Sequence, residues 1–176
     1  REYEKGLEEG RKRRLDRAIA HLEKAVRLAP DFYNAHWRLG MIYSELNRHE
    51  EAKREFVRAS ELDQQGGEPL IGLGEIYLRE ESWQQAAAVL EQAGRLTPGS
   101  AAGAYYLGSV MYKLKDYAQA EQHLLRARFL KEDFQPATLM LINVYLRQLR
   151  LKDALAVVEK HLSQNPEAAH SEELSN

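Results

Sequence analysis

Through positions 35–62 the apolar residues fall into two blocks with helical spacing. Trp37, Leu39, Gly40, Ile42, Tyr43 and Leu46 stand at i, i+3, i+4 and i+7 relations, which gather on one broad helix face. A polar break, Asn47-Arg48-His49, interrupts them, and a second run carries Ala52, Phe56, Ala59 and Leu62. The pattern predicts an antiparallel helix pair, about 14 residues per helix, joined by a turn of roughly three residues.

The same pattern returns at a fixed step. Alanine recurs every 34 residues at Ala18, Ala52, Ala86, Ala120 and Ala154. Other columns keep the phase: Leu39, Leu73, Leu107 and Leu141; Gly40, Gly74 and Gly108; Ala25, Ala59, Ala93 and Ala127; Leu28, Leu62, Leu96 and Leu130. A helix pair cannot bury its apolar face alone, so a strict period of this length predicts units stacked on their neighbours. Five units are expected, about 1–32, 33–66, 67–100, 101–134 and 135–166, with 167–176 a tail or short capping helix. Pro69 and Pro136 sit where first helices should begin, and Ser100 is placed to cap the helix starting at Ala101. Pro30, Pro98 and Pro166 fall after second helices and block their continuation, while Gly66-Gly67 supplies the break in the second unit. The glycine and alanine columns predict close approach of the two helices of a pair, with Leu39, Phe56 and their equivalents filling the space alongside.

The string His36-x-x-Leu39-Gly40-x-x-Tyr43, followed by Ala52-x-x-x-Phe56-x-x-Ala59, resembles the tetratricopeptide repeat signature. Leu70, Leu73, Gly74, Tyr77, Ala86, Leu90, Ala93 and Pro98 repeat it. The fourth unit departs at Met111, beside Tyr112, and the last at Ile142, His161 and Gln164. In the first unit the match rests on Ala18, Leu22, Ala25 and Pro30, with Gly6 in its first helix. The resemblance spans about residues 1–166. It implies an all-α solenoid, a right-handed superhelix of about ten helices in antiparallel pairs, whose concave groove binds peptides or other proteins.

In such an array first helices line the groove. Their face away from the pair contact carries Tyr3, Leu7, Trp37, Arg38, Met41, Ser44, Ile71, Gly72, Glu75, Leu78, Tyr105, Tyr106, Ser109, Tyr112, Leu139, Met140, Asn143 and Leu146. Aromatic and arginine anchors bury well at protein interfaces. The expected peptide-binding residues are therefore Trp37, Arg38, Met41, Glu75, Tyr105, Tyr106, Ser109, Tyr112 and Asn143. Ile71, Leu78 and Leu146 are expected as packing between units, and Gly72 as room for an inserted side chain. Some members of the family grip a chaperone's C-terminal carboxylate with Lys, Asn and Arg from successive units. The corresponding places hold Trp37, Met41, Gly72, Ala102 and Tyr106, or one unit later Ile71, Glu75, Tyr106, Pro136 and Met140, so no such clamp is expected.

Charge and composition narrow the function. Basic and acidic residues number 25 and 27, interspersed, for a net charge of −2. This gives no basic excess for nucleic acid, and no 18-residue apolar run for membrane insertion. The run Arg11-Lys12-Arg13-Arg14 reads as a solvated turn near a helix C-terminus. No cysteine is present, which excludes disulfides, thiolate catalysis and cysteine-bound zinc; together with a start at Arg1 this favours an extracytoplasmic location. Gly72-x-Gly74 lies inside a helix and lacks the third glycine of a dinucleotide loop. His49-Glu50 begins like a zinc-protease motif, but Lys53 stands where the second histidine would be. The six histidines lack metal-ligand spacing. No catalytic residue, metal or cofactor is expected, and the chain is read as a non-catalytic scaffold for another protein or peptide. An alternative is self-association head to tail into an oligomer or filament, through the exposed end of the stack at Leu151, Leu155, Val158 and Leu162.

Overall fold

The computed structural model describes residues 1–164, and these form ten α-helices in five antiparallel pairs. The pairs are α1 (Glu2–Arg11) with α2 (Leu15–Leu28), α3 (Tyr33–Glu45) with α4 (His49–Leu62), α5 (Glu68–Arg79) with α6 (Trp83–Leu96), α7 (Ala101–Lys113) with α8 (Tyr117–Leu130), and α9 (Gln135–Arg147) with α10 (Leu151–Gln164). Every second helix has 14 residues, whereas the first helices are shorter, at 10–13. The chain forms two compact units, Arg1–Pro98 with the first three pairs and a second from Gly99 onward with the last two. The tail expected to cap the stack lies outside the described residues.

Helix ends follow the local chemistry. Pro69 and Pro136 occupy the first turns of α5 and α9, where a missing N–H removes no helical bond. Ser100 caps α7 by accepting from the Gly103 N–H at 3.1 Å, and Asp116 caps α8 by accepting from that of Gln119 at 3.0 Å. At the break before α5, the Gly67 N–H donates to Thr97 Oγ1 at 2.9 Å; a Cβ on Gly67 would lie 2.5 Å from that oxygen.

One feature of the turns escaped the hydrophobic pattern. Each pair turns through a single residue in the left-handed region: Arg13, Asn47, Glu81, Lys115 and Leu149, again 34 apart, with φ between 56° and 66°. The next residue's N–H returns to the carbonyl five back, as in Arg48 to Tyr43 at 2.8 Å and Asp116 to Met111 at 2.9 Å. This is a Schellman motif that satisfies the last carbonyls of the first helix. Glycine usually takes that position, and here it never does.

The small columns set how closely the helices approach. Ala18, Ala52, Ala86 and Ala120 are fully buried, and Ala154 nearly so. A Cβ on Gly6 would run into Leu22, on Gly74 into Leu90 and on Gly108 into Leu124, so each glycine admits the large residue of the facing second helix. Phe56 is held from two sides: a Cβ at Gly40 or at Gly72 would lie 2.6 Å from its ring. The space at Gly72 expected for a ligand is therefore filled by the protein's own Phe56. In the last pair Ile142 replaces the column's glycine and Val158, smaller than leucine or phenylalanine, stands in the facing column. Leu39, Leu73, Leu107 and Leu141 are buried, as is Met111 in the tyrosine column. The leucines at 28 and 130 keep the period but are exposed, whereas Leu62 and Leu96, likewise the last residues of their helices, are half-buried.

Candidate functional site

In the first unit the expected face is built around a ladder on α3. Tyr33 and Trp37, one turn apart, stack with ring centroids 6.4 Å apart and planes 14° from parallel. The Arg38 guanidinium carbon lies 4.8 Å from the Trp37 ring, within cation–π range. Its Nε is buried without a hydrogen-bond partner among the described residues. Burial, and secondarily the charges of Asp63 and Glu68, raise the Tyr33 phenol above its ordinary value and keep it a neutral donor. Met41 continues the face and is 43% exposed. Glu75 on α5 pairs with Arg79 at 2.8 Å, and Arg79 also reaches the Asn47 side chain at 3.3 Å. Ile71 is buried, Leu78 half-buried.

The second unit arranges its aromatics differently. Tyr105 and Tyr106 are adjacent, 5.3 Å between centroids, but Tyr105 also packs edge-on against Phe134 at 5.4 Å. Tyr3 and Phe32 in the first unit make the same contact at 4.7 Å, three periods earlier. In both places a phenylalanine preceding the next first helix closes over the tyrosine. In the column of Phe32 and Phe134, the position matching Trp37 holds Gly66, so no such ring comes from that loop. Ser109, expected to face a ligand, is buried, and its hydroxyl donates to the Tyr105 carbonyl at 2.9 Å, four residues back in α7. Tyr112 packs on Tyr117 at 5.7 Å and accepts from Arg147 Nε at 3.1 Å. Asn143 is exposed, and so is Leu146, which was expected as packing. Tyr33, Phe134 and Arg147 complete these clusters without having been singled out; the Phe32–Phe134 recurrence was the signal available.

Polar contacts tie helices together within each unit, both inside a pair and between successive pairs. His36 is buried with Nδ1 2.6 Å from Glu55 and Nε2 3.0 Å from the Pro30 carbonyl. Tyr43 donates to Glu23 at 2.7 Å; burial and then Glu23 raise its phenol. Tyr145 donates to Glu121 at 2.9 Å and is pushed up to about 12, by burial first and then by that bond. Arg150 pairs with Glu121 at 2.6 Å and covers the Tyr145 ring at 4.4 Å. An open depression of about 470 Å³ lies along α4 beside Tyr77. Four of its charges pair with one another or with neighbours, Lys53 with Glu50 and Glu80, Arg58 with Glu61. The basic run at residues 11–14 is likewise paired, Arg13 with Glu45 at 2.6 Å and Arg14 with Glu9 at 3.5 Å.

The two ends of the chain's helices are unlike. In three columns the later pairs bury Ala35, Pro69 and Ala137, then His36, Leu70 and Thr138, then Tyr43, Met111 and Tyr145. The first pair has Arg1, Glu2 and Glu9 there. Glu2 pairs with His21 at 2.9 Å, Lys5 at 3.4 Å and Lys24 at 3.5 Å, and its carboxyl is lowered to about 2, chiefly by the His21 bond. On α10, by contrast, Leu151 is 62% and Leu155 57% exposed, while Ile19, in the column of Leu155, is buried. No helix among the described residues is long and apolar enough to cross a membrane.

Repeated helix pairs locked by glycine and alanine columns define an all-α solenoid of the scaffold type. Sequence models described as tetratricopeptide repeat match residues 11–73 and 71–136, and the chain belongs to that family. Anaphase-promoting complex subunit 3 of Schizosaccharomyces pombe is 24% identical over 148 residues, 84% of this chain and 22% of that protein. The chain spans about a fifth of the length of the curated relatives it matches. Among solved structures, MamA superimposes with a TM-score of 0.83 at 21% identity, covering 93% of this chain and 96% of that one. YrrB, described as a TPR protein with an unusual peptide-binding site, gives 0.75 at 19% identity, covering 98% and 90%.

Proposed function

We propose that this chain is a non-catalytic scaffold that binds a segment of another protein on the exposed face of its first helices. The observation that carries the reading is the α3 ladder of Tyr33, Trp37 and Arg38, ending at exposed Met41. It offers a rigid aromatic surface at low entropic cost beside a guanidinium, the combination that dominates interface hot spots. The peptide-binding description of YrrB and the assembly membership of the anaphase-promoting complex relatives favour the same class. In the second unit Tyr106, Tyr112 and Asn143 are the corresponding contacts, with Tyr105 committed partly to Phe134. The test is selection of peptides from a random display library on the chain, followed by anisotropy titration of a fluorescein-labelled selected peptide with the parent and variant chains. Trp37→Ala with Arg38→Glu is expected to weaken binding by at least about tenfold, the loss of one hot spot. Selected peptides that bind the double variant equally well would place the site elsewhere.

A second reading, association between copies, is supported by the exposed leucines of α10. The charges of Glu2 and Glu9 at the other end weigh against its head-to-tail form, since apolar docking there would desolvate paired carboxylates.

A further inference from the structure

We propose that two copies of the chain pair tail to tail, their α10 helices antiparallel about a two-fold axis. This deepens the self-association reading and rests on it. Leu151, Leu155, Val158 and Leu162 are spaced 4-3-4, a seam that a second helix can fill, and the same columns of α2, Leu15, Ile19, Leu22 and Val26, form the face whose Ile19 and Leu22 are buried. Three of the four are exposed and Val158 is half-buried. Ala154 marks the buried side of α10, and Leu151, Leu155 and Val158 lie roughly 40–100° around the helix from it, so a second helix can seat without displacing α9.

The seam is complementary to itself in one arrangement. With the axis between residues 156 and 157, Leu151 meets Leu162 of the second copy and Leu155 meets its Val158. The flanking positions on the side away from Ala154 then oppose Lys152 to Glu159 of the second copy, and by symmetry Glu159 to its Lys152. Both side chains are exposed and carry opposite charge. The head of the chain offers no such fit, because Arg1, Glu2 and Glu9 occupy the columns that an apolar end would need to cover. An isologous contact closes at two copies, so the product is a dimer and not a filament.

Sedimentation equilibrium from about 1 to about 300 µM tests it. The mass is expected to rise toward twice the 20.2 kDa of one chain and stop there. Leu155→Asp is expected to keep the chain monomeric. Lys152→Glu and Glu159→Lys are each expected to raise the dissociation constant on the order of tenfold, because two symmetric contacts become repulsive, and the double reversal is expected to restore it. All three positions are exposed, so these variants retain the fold, as unchanged thermal unfolding would verify. A monomer at every concentration overturns both the dimer and the self-association reading. Association that continues past two copies, or a dimer indifferent to the charge reversals, overturns the antiparallel pairing and leaves self-association standing.

Discussion

Replacing Lys115 by glycine should stabilise the protein. Lys115 turns the chain between α7 and α8 with φ 66°, the largest of the five left-handed turn residues, and it is exposed. Its own N–H reaches Tyr112 at 3.0 Å and the following N–H reaches Met111 at 2.9 Å, so the backbone is held by two bonds that any residue can make. For an L-residue the left-handed conformation costs roughly 1–2 kcal/mol. Glycine removes that cost but gives back about 0.5–1 kcal/mol through the greater freedom of its unfolded chain. The expected net gain is about 0.5–1 kcal/mol, or roughly 1–4 °C in Tm for a chain of this size. Urea unfolding followed by far-ultraviolet circular dichroism measures it. Lys115→Ala separates the causes: it deletes the side chain but keeps the Cβ, so it should gain nothing. Asn47→Gly should gain less than Lys115→Gly, because asparagine already tolerates this region and its side chain accepts from Arg79. Equal effects of glycine and alanine at 115 would refute the reasoning, and so would destabilisation by both.

Two glycines predict opposite outcomes for one substitution. Gly40→Ala should destabilise by about 1–3 kcal/mol, since the Phe56 ring it meets is backed by Gly72 and cannot retreat. Gly94→Ala, exposed within α6 with nothing within 4 Å of its Cβ, should stabilise by about 0.5–1 kcal/mol; denaturant midpoints of the pair check both. The folded-state carboxyl of Glu2, at about 2, lies below its ordinary 4.5, so its contribution is present above about 4.5 and lost as pH falls toward 2. Glu2→Gln should therefore lower the unfolding midpoint near neutrality and converge with the parent below about pH 2, and parallel pH profiles would count against it.

The fold was legible because its causes are periodic. Burying one helix pair against the next demands the same volumes at the same steps, and the alanine and glycine columns record that demand directly. Phase alone does not fix burial at a helix end. Leu28 and Leu130 share both a phase and the last position of a second helix with half-buried Leu62 and Leu96, yet they are exposed. The left-handed turns were hidden for a different reason. No glycine marks them, and the Schellman bonds that hold them are made by backbone, which a pattern of side chains does not register.

The candidate site is harder to read, because specificity resides where the repeats differ. Columns gave the face on which Trp37, Tyr105 and Tyr112 stand but not the partners of each ring. Ser109 illustrates the limit: in a helix a serine hydroxyl can bond the carbonyl four residues back, and Ser109 does so beneath the surface it was expected to present. Tyr3 and Tyr105 lie in the same column as Trp37, and a loop phenylalanine covers each of them. At Trp37 that loop position is Gly66, and the indole instead has Tyr33 on one side and Arg38 on the other. Left uncapped by its own loop, in a column whose other rings are capped, Trp37 is covered instead by two side chains of its own helix. The departure from the period at Gly66 thus sets Trp37 apart from the other rings of its column, and the proposed docking face rests on that difference more than on the aromatic content of the face as a whole.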